Sequence, residues 1–470
     1  MAIPSPCGLR CGAALALVCG LSGCAGLVSK PYRGPELALP ERWSGQALTG
    51  AAVADGKPWE TWWHRFHDPV LDQLIERALR ANNNLAAAAI KVRVARLTAG
   101  LTDTNLTPDL SVGASSEASR DLRRHTGSTT HSVTGTVSYQ VDLWGKLASA
   151  REASRWEAEA TEADRQSSAL ALIGTTATLY WQVAYLNQRI ATSTASIAYA
   201  EKTLALVEVK WQAGAVSNLD RVQARQTLAA QRATLPDLVQ QRAKARNALA
   251  ILLGQLPGEG SGAGERQALP AVPDPEVAAG LPASLLARRP DLRAAEMRLR
   301  EAWANVNVSK ASFYPALSLT GSLGSSSTSL KDVLRNPVGT LGAGLTLPFL
   351  QWNTARLTVR ISQATYEQSV ATFRQTLLQA LSDVETALSA REQDLAAVDQ
   401  LQQSLDLARQ AEALAEVRYR AGATGLQTWL DLQETRRSAE TSLAENRLSQ
   451  LDNLMILFQA LGGDASQPVH

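Results

Sequence analysis

Hydrophobic positions along this chain follow two different periods, and each period appears twice. Between Val133 and Val141, residues Val133, Gly135, Val137, Tyr139 and Val141 point one way, and Thr134, Thr136, Ser138, Gln140 and Asp142 point the other. Strict alternation of this kind predicts a strand with an apolar face and a wet face. Leu110, Val112 and Ala114 against Ser111 and Ser115 predict a strand before it. Later, Leu317, Leu319 and Leu323 alternate with Ser318, Thr320 and Ser322. Leu341, Ala343, Leu345 and Leu347 alternate with Gly342, Gly344 and Thr346. The polar stretches Ser119 to His131 and Ser325 to Pro337 read as exposed loops joining two antiparallel pairs.

The second period is helical. From Leu147 to Gln212 there is no Pro, and Gly174 is the sole Gly. Leu172, Thr176, Leu179, Val183, Leu186, Ile190, Ser193, Ile197, Ala200, Leu204, Val207 and Trp211 recur at alternating steps of four and three. That heptad seam predicts a coiled-coil helix, on the order of 100 Å long at 1.5 Å per residue. Leu377, Leu381, Val384, Leu388, Leu395 and Val398 repeat it, interrupted by Arg391. Each long helix runs into a Gly suited to a left-handed cap, Gly214 and Gly422. Ser217-x-x-Asp220 and Thr424-x-x-Gln427 then read as capping boxes that start the returning helices. Pro236 falls within the first of these and predicts a kink or break. Gly254 to Pro282 is rich in Gly and Pro and reads as a linker.

These elements belong to a duplicated unit. Val209-Lys210-Trp211-Gln212-Ala213-Gly214-Ala215 returns as Val417-Arg418-Tyr419-Arg420-Ala421-Gly422-Ala423, an offset of about 208 residues. Leu253-Gly254 returns as Leu461-Gly462, Trp144 as Trp352, and Pro108 as Pro315 with one residue of slippage. Short solenoid repeats have periods of roughly 20–50 residues, so a whole structural half has been copied. Duplicated halves around one path are common in transport proteins. Each half puts a strand pair at one end and a helical hairpin tip at the other. Four strands cannot close a barrel, the smallest of which have about eight. Closure therefore requires several chains.

Composition sets the compartment. All four cysteines, Cys7, Cys11, Cys19 and Cys24, lie at the amino terminus with Arg10 and an apolar run from Ala13 to Leu21. That is a signal-peptide layout. Leu21-Ser22-Gly23-Cys24 resembles the bacterial lipobox, which would make Cys24 the lipidated first residue of the mature chain. Ala25 in the next position would direct it to the outer membrane. No disulfide or cysteine metal site remains possible after cleavage. Beyond Cys24 no uninterrupted apolar run reaches the roughly 18 residues of a spanning helix, so a membrane crossing would have to be a closed barrel. The formal net charge of +2 implies no strongly acidic or basic partner such as nucleic acid.

Catalytic chemistry finds little support. His64-x-x-His67 has metal spacing but no third ligand. Gly258-x-Gly260 lacks the strand and helix of a nucleotide loop. No Ser-His-Asp arrangement suggests itself.

Several motifs together resemble the TolC-like outer-membrane factors, in the NodT-type lipoprotein branch that serves resistance–nodulation–division efflux. They are Cys24, Pro31-Tyr32 with Trp43, and Trp62-Trp63 followed by Phe66-His67-Asp68-Pro69-Val70-Leu71-Asp72. The series continues with Arg289-Pro290-Asp291-Leu292-Arg293-Ala294-Ala295-Glu296, Phe313-Tyr314-Pro315, and the two Ala-Gly-Ala tips. They cover nearly the whole chain.

The resemblance implies a mostly α protein with a transmembrane β-barrel. A homotrimer would form twelve strands and a periplasmic α-helical barrel. The chain would then divide into a signal peptide (1–23), a lipidated segment with the first equatorial helix (24–84), a first repeat (85–253), a linker (254–282), a second repeat (283–462) and a tail (463–470). The resemblance implies no cofactor beyond the lipid on Cys24. It implies docking with a periplasmic adaptor and an inner-membrane pump, and passive conduction of small molecules across the outer membrane.

The family closes its periplasmic end just past the tips. Asp431 is the first gate candidate, since three copies would ring the axis. Gln427, Tyr419, Arg418 and Asp220 are the others, although Asp220 reads first as a cap. Gln427 and Glu434 depart from the family, which commonly has an apolar residue and an Arg there. Gly214, Ala215, Val216, Gly422, Ala423 and Thr424 are the expected adaptor contacts. The alternatives are a type I protein-secretion conduit and a lipid-anchored periplasmic coiled-coil scaffold.

Overall fold

The computed structural model describes residues 28–36, 40, 42–43, 59–258, 265–273 and 282–463. Cys24 and the signal segment lie outside the described residues. The chain is mostly helical with four strands. In order it runs through α1 (Pro69–Ala81), α2 (Asn83–Thr104), β1 (Asp109–Asp121), β2 (Thr126–Val141), α3 (Lys146–Gln212) and α4 (Asn218–Leu252). There follow a single turn α5 (Leu285–Arg288), α6 (Pro290–Ala311), β3 (Ala316–Ser327), β4 (Pro337–Thr346), α7 (Trp352–Arg420) and α8 (Leu426–Ala460). These elements pack as two compact units. One holds residues 28–36, 89–164 and 293–376, and the other holds the rest of the described chain. The long helices α3 and α7 contribute to both.

The first unit contains the sheet. All neighbours are antiparallel, in the order β1-β2-β3-β4, so the two hairpins lie side by side and β1 and β4 are free edges. Leu110 pairs Val137, Tyr139 pairs Leu319, and Leu317 pairs Leu345. The polar stretch read as a loop from Ser119 to His131 is mostly strand. β1 runs to Asp121 and β2 starts at Thr126, leaving a four-residue turn. Ser, Thr and Gly cross-strand pairs carry the ladder where no apolar residue marks it. The Ser115–Ser132 and Ser119–Ser128 hydroxyls lie 2.8 and 3.0 Å apart. At the sheet's other end Trp144 Nε1 donates to Pro315 O at 2.7 Å, with its ring 4.9 Å from that of Tyr314. The amino-terminal segment is strapped to the same unit. Lys30 O accepts from Trp303 Nε1 (2.8 Å) and Asn307 Nδ2 (3.1 Å), and Val28 is buried.

The second unit has an aromatic centre. Trp62, Trp63, Phe66, Trp181 and Phe458 are all buried, with Phe66 5.0 Å from Trp181 and Trp62 5.3 Å from Phe458. Asp68 caps α1 by accepting from the Val70 and Leu71 amides. Its second oxygen accepts from the Tyr180 hydroxyl and from Arg266 Nε, both at 2.9 Å. Arg266 belongs to the linker. Asn187 Nδ2 also donates to Arg266 O at 2.9 Å, and Arg246 pairs with Glu265. The described part of the linker is thus bolted to the helices by a buried carboxylate, whose removal would strand a guanidinium and a phenol. Gly174, the lone Gly of α3, lies under Gln459, whose amide would sit 1.9 Å from an added Cβ while donating to Leu170 O. The repeated Leu-Gly pairs have one cause. Gly254 and Gly462 both have positive φ, each with a neighbouring backbone carbonyl 2.7 Å from the site of a Cβ.

Two helical readings need correction. Pro236 does not break the helix, and α4 continues through it from Asn218 to Leu252. In the α7 seam Leu377 and Val384 are buried as expected, but Ala380 and Ala387 take the positions between and after them while Leu381 and Leu388 are half-buried. Farther along, Leu405, Ala408, Ala415 and Tyr419 are buried, whereas Leu395 is 44% exposed. On that seam Arg391 occupies the heptad position between Val384 and Val398. The stretch around it is polar because α8 answers with amides. Asn453 donates to Ala387 O at 3.0 Å, and Asn446 to Asp394 O at 3.3 Å.

Asp452 on α8 is largely buried, and one of its oxygens has no partner. Burial pushes its carboxyl up to about 6. The folded protein therefore holds this proton more tightly than the unfolded chain, whose Asp titrates near 3.9. The group's contribution is most favourable below about pH 4, and it is lost as pH rises through about 6. Asp452→Asn should raise the thermal midpoint at pH 7.5, relieving a cost of at most about 3 kcal/mol, and change it little at pH 4. Helix ellipticity during melting checks this, and an equal shift at both pH values would refute it.

Candidate functional site: sheet faces and helical tips

Because β-strand side chains alternate and the register is regular, parity decides which face each residue joins. Leu110, Val112, Val133, Val137, Tyr139, Leu319, Leu323, Leu341 and Leu345 all fall on one face. Most are open to the surroundings, Leu110 at 71% and Leu341 at 92%. On the opposite face the same rows carry Ser, Thr, Gly and Gln: Ser111 with Thr136, Ser138 with Thr320, Ser318 with Gly344. An alternating stretch of nine residues such as Val133–Val141 is the length of a membrane-spanning strand. The sheet thus has a dry outer surface and a hydroxyl-lined inner one.

The tips of the helical hairpins lie in the second unit, and both use one backbone device. Gly214 and Gly422 have φ of 73° and 72°. The amide of the next residue reaches back to close the last turn, Ala215 to Lys210 O at 2.8 Å and Ala423 to Arg418 O at 2.9 Å. Nothing lies within 4 Å of a Cβ built at either Gly, so dihedral angle alone requires it.

Beyond the turns the two tips differ. Ser217 and Asp220 form a full capping box, with the Ser217 amide donating to Asp220 Oδ2 at 2.9 Å. The second tip has none. Its cap is Gly425, without a side-chain bond, so the Thr424-x-x-Gln427 box does not form. Gln427 instead donates to Asp431 Oδ1 at 2.6 Å. Asp431, Gln427 and Arg418 are exposed, whereas Tyr419 is 3% exposed and faces inward. Gly214, Ala215, Gly422 and Ala423 are exposed at the turns, and Val216 and Thr424 are half-buried.

Behind the turns lies an aromatic cluster that the sequence did not announce. Tyr419 stacks on Trp429 at 5.2 Å, and Tyr199 meets Trp429 edge-on at 6.2 Å. Val207, Ala224, Leu426 and Leu430 close the cluster. Lys210, at the end of α3, sits 4.4 Å from the Tyr419 ring and donates to Tyr419 O at 2.8 Å. A cation thereby meets both the ring and the open carbonyls at the end of α7. Tyr199 donates to Glu416 Oε2 at 2.8 Å. Burial raises the Tyr199 and Tyr419 phenols above their usual range, with the Glu416 bond adding for Tyr199 and the Asp220 charge for Tyr419. A lone Trp in a Leu-rich helix gave no sequence signal. Lys210 stood in the repeat, but only three dimensions show that it serves the other copy's tip.

Metal chemistry gains nothing from the geometry. His64 pairs with Asp72 at 2.8 Å, and among the described residues no group of three or more His, Cys, Asp or Glu could hold an ion.

Comparison with known proteins agrees with the two-faced sheet and the doubled helices. A family model described as outer membrane efflux protein matches twice, at residues 74–255 and 281–463. A pyoverdine export outer membrane protein, OpmQ of Pseudomonas putida, is 35% identical over 91% of this chain and 92% of its own length. The solved outer-membrane channel OprN superposes with a TM-score of 0.85 at 28% identity, covering 93% of this chain and 99% of that one. The open-state MtrE channel of Neisseria gonorrhoeae gives 0.82 at 28% identity, covering 93% and 98%.

Lys210→Met keeps the stem and removes the ammonium. Exchange of the Ala421–Ala423 amides should then quicken roughly fivefold, the loss of about 1 kcal/mol. Unchanged protection would mean that Gly422 alone holds the second turn.

Proposed function

The chain belongs to the outer membrane efflux protein family and is the outer-membrane channel of a Gram-negative efflux system; on that premise we propose that three copies share one barrel wall, with a lipid on Cys24. The sheet carries this reading. Its faces are those of a membrane barrel, yet β1 and β4 are unpaired edges. In hydrocarbon each unpaired backbone group costs several kcal/mol. Joining β4 of one copy to β1 of the next satisfies both edges by rotation, a heterologous contact that closes on itself. Twelve strands in three copies lie within the observed range. Apolar stripes flank both edges in sequence. Ile90, Val94, Leu97 and Leu101 recur on one exposed face of α2, which leads into β1, and Leu357 and Ile361 lie exposed on α7, which follows β4. A periplasmic scaffold would have no use for the dry face.

The lipid is supported by the strap. Only residues 25–27 separate Cys24 from Val28, which is seated on the unit containing the sheet. Four links of chain reach at most about 14 Å, so an acyl chain there would lie beside the barrel. Transport is passive, and family members are transport components rather than enzymes. We assign the driving force to an inner-membrane pump joined through an adaptor at the Gly214–Val216 and Gly422–Thr424 turns. Asp431 remains our gate residue, held by Gln427 rather than spent as a cap.

Neighbouring positions on β4 test the faces. Leu341→Arg puts a charge toward lipid, at a cost of about 2–4 kcal/mol near the midplane, and should cut assembly into membranes sharply. Thr340→Arg faces the lumen and should assemble normally while lowering single-channel conductance. The reverse pattern would invert the sheet and end the barrel reading. For the gate, Asp431→Ala should raise conductance in planar bilayers. Identical conductance and cation preference would remove Asp431 from that role.

A further inference from the structure

The sheet sorts charge as strictly as it sorts polarity. Across all four strands the carboxylates Asp109, Glu117 and Asp121 share the parity of the hydroxyl face, and no Lys or Arg does. Arg120 has the parity of Leu110 and Val112, and no carboxylate of the four strands joins it there. Opposite Arg120 stands Gly127, so no cross-strand side chain covers the guanidinium.

Above the apolar rows the outward face changes character in steps. The first row past Val133 is polar, His131 between Ser116 and Ser327. Arg120 follows six residues beyond Ala114, about 20 Å along the strand at 3.4 Å per residue, or roughly 15 Å of height at a tilt near 40°. Arg123 and Arg124 occupy the turn directly after it. The turn is rigid for its size. Asp121 Oδ1 accepts from the Arg123 and Arg124 amides at 2.9 and 3.1 Å, and His125 takes a φ of 53° to bring the chain back. The nearest carboxylate is therefore committed to backbone. All three guanidiniums are exposed, and none has a side-chain partner among the described residues. Elsewhere in this unit Arg151, Arg155 and Arg298 sit on carboxylates.

We propose that Arg120, Arg123 and Arg124 form a collar that binds the phosphate groups of outer-leaflet glycolipid, seating the barrel at a fixed depth. The inference rests on the channel reading, because it takes the Leu face as lipid-facing. Continuity selects the occupant. Arg120 stands on the same outward face as the apolar rows, one headgroup layer above them, with Arg123 and Arg124 in the turn directly beyond it, and guanidinium forks suit phosphate oxygens. An anionic solute leaving through the lumen would meet the opposite face, where this sheet places its acids. In a threefold assembly the collar would present nine guanidiniums around the rim.

The test uses the full-length oligomer in detergent and titrates lipid A bearing both phosphates, with bound lipid counted by native mass spectrometry. Dephosphorylated lipid A and inorganic phosphate are the controls. The variant R120Q/R123Q/R124Q should bind the phosphorylated lipid at least about tenfold more weakly, and the matching Arg→Lys variant should retain most of it. Dephosphorylated lipid should bind the native protein as weakly as phosphorylated lipid binds the glutamine variant. Equal binding by native and glutamine proteins would overturn the collar, as would indifference to the phosphates. Displacement by millimolar inorganic phosphate would assign the site to a free anion and overturn the lipid. Conductance of both proteins in planar bilayers separates the two readings. A native protein that never conducts sinks the channel itself, whereas normal conductance with unaltered lipid binding sinks only the collar.

Discussion

The unpaired backbone at the two edges of a four-stranded sheet is the constraint on which the rest depends. Water would satisfy those amides and carbonyls in a soluble protein, and charged residues or bulges would guard them. Here the charges of β1 lie at its ends, and the middle of each edge strand, Leu110–Ser115 and Gly339–Leu345, carries none, with Leu, Val, Ala and Gly on one face and Ser, Thr and Gly on the other. Such strands lose their solvent partners when the Leu face enters hydrocarbon. The edges can then be satisfied only by another copy of the same sheet. Oligomerisation is thus a condition of insertion, and each copy supplies a fraction of a wall that has no function alone.

The duplicated helices solve a different problem, and the two copies have diverged where symmetry would be a disadvantage. The Gly214 and Gly422 turns are superposable in their hydrogen bonds. Their surroundings are not. One is locked by Ser217 and Asp220, and the other has no side-chain cap but borrows Lys210 from its sister. The second tip is therefore held by contacts between hairpins as well as within one. Freeing its end carbonyls requires moving a single ammonium, Lys210, off Tyr419 O, Arg420 O and the Tyr419 ring, while the Trp429 stack still holds the turn in place.

Much of the fold was legible because periodicity survives in sequence. Strict alternation gave Val133–Val141 its strand, and the 208-residue echo gave two halves. What escaped was whatever depends on a partner outside the local window. The outer parts of β1 and β2 look like loop because hydroxyl pairs such as Ser115–Ser132 replace apolar ones. The α7 seam was read from its leucines, although Leu395 turns outward and small alanines pack inside. Thr424 and Gln427 had the spacing of a capping box but lost it to Gly425, one residue closer to the helix. Tyr419 was named from the repeat, yet Trp429 behind it was invisible, since stacking leaves no trace in spacing.

The polar stretch of the α7–α8 seam makes this last point physically. A seam of leucines fixes two helices through volume and tolerates no slip without opening cavities. A seam of amides bonded to carbonyls, such as Asn453 on Ala387 and Asn446 on Asp394, can exchange one carbonyl for the next along the partner helix. The sequence therefore places deformable packing around Arg391 and rigid aromatic packing at the tip around Trp429. A hairpin built this way can bend along its middle while its end keeps its shape.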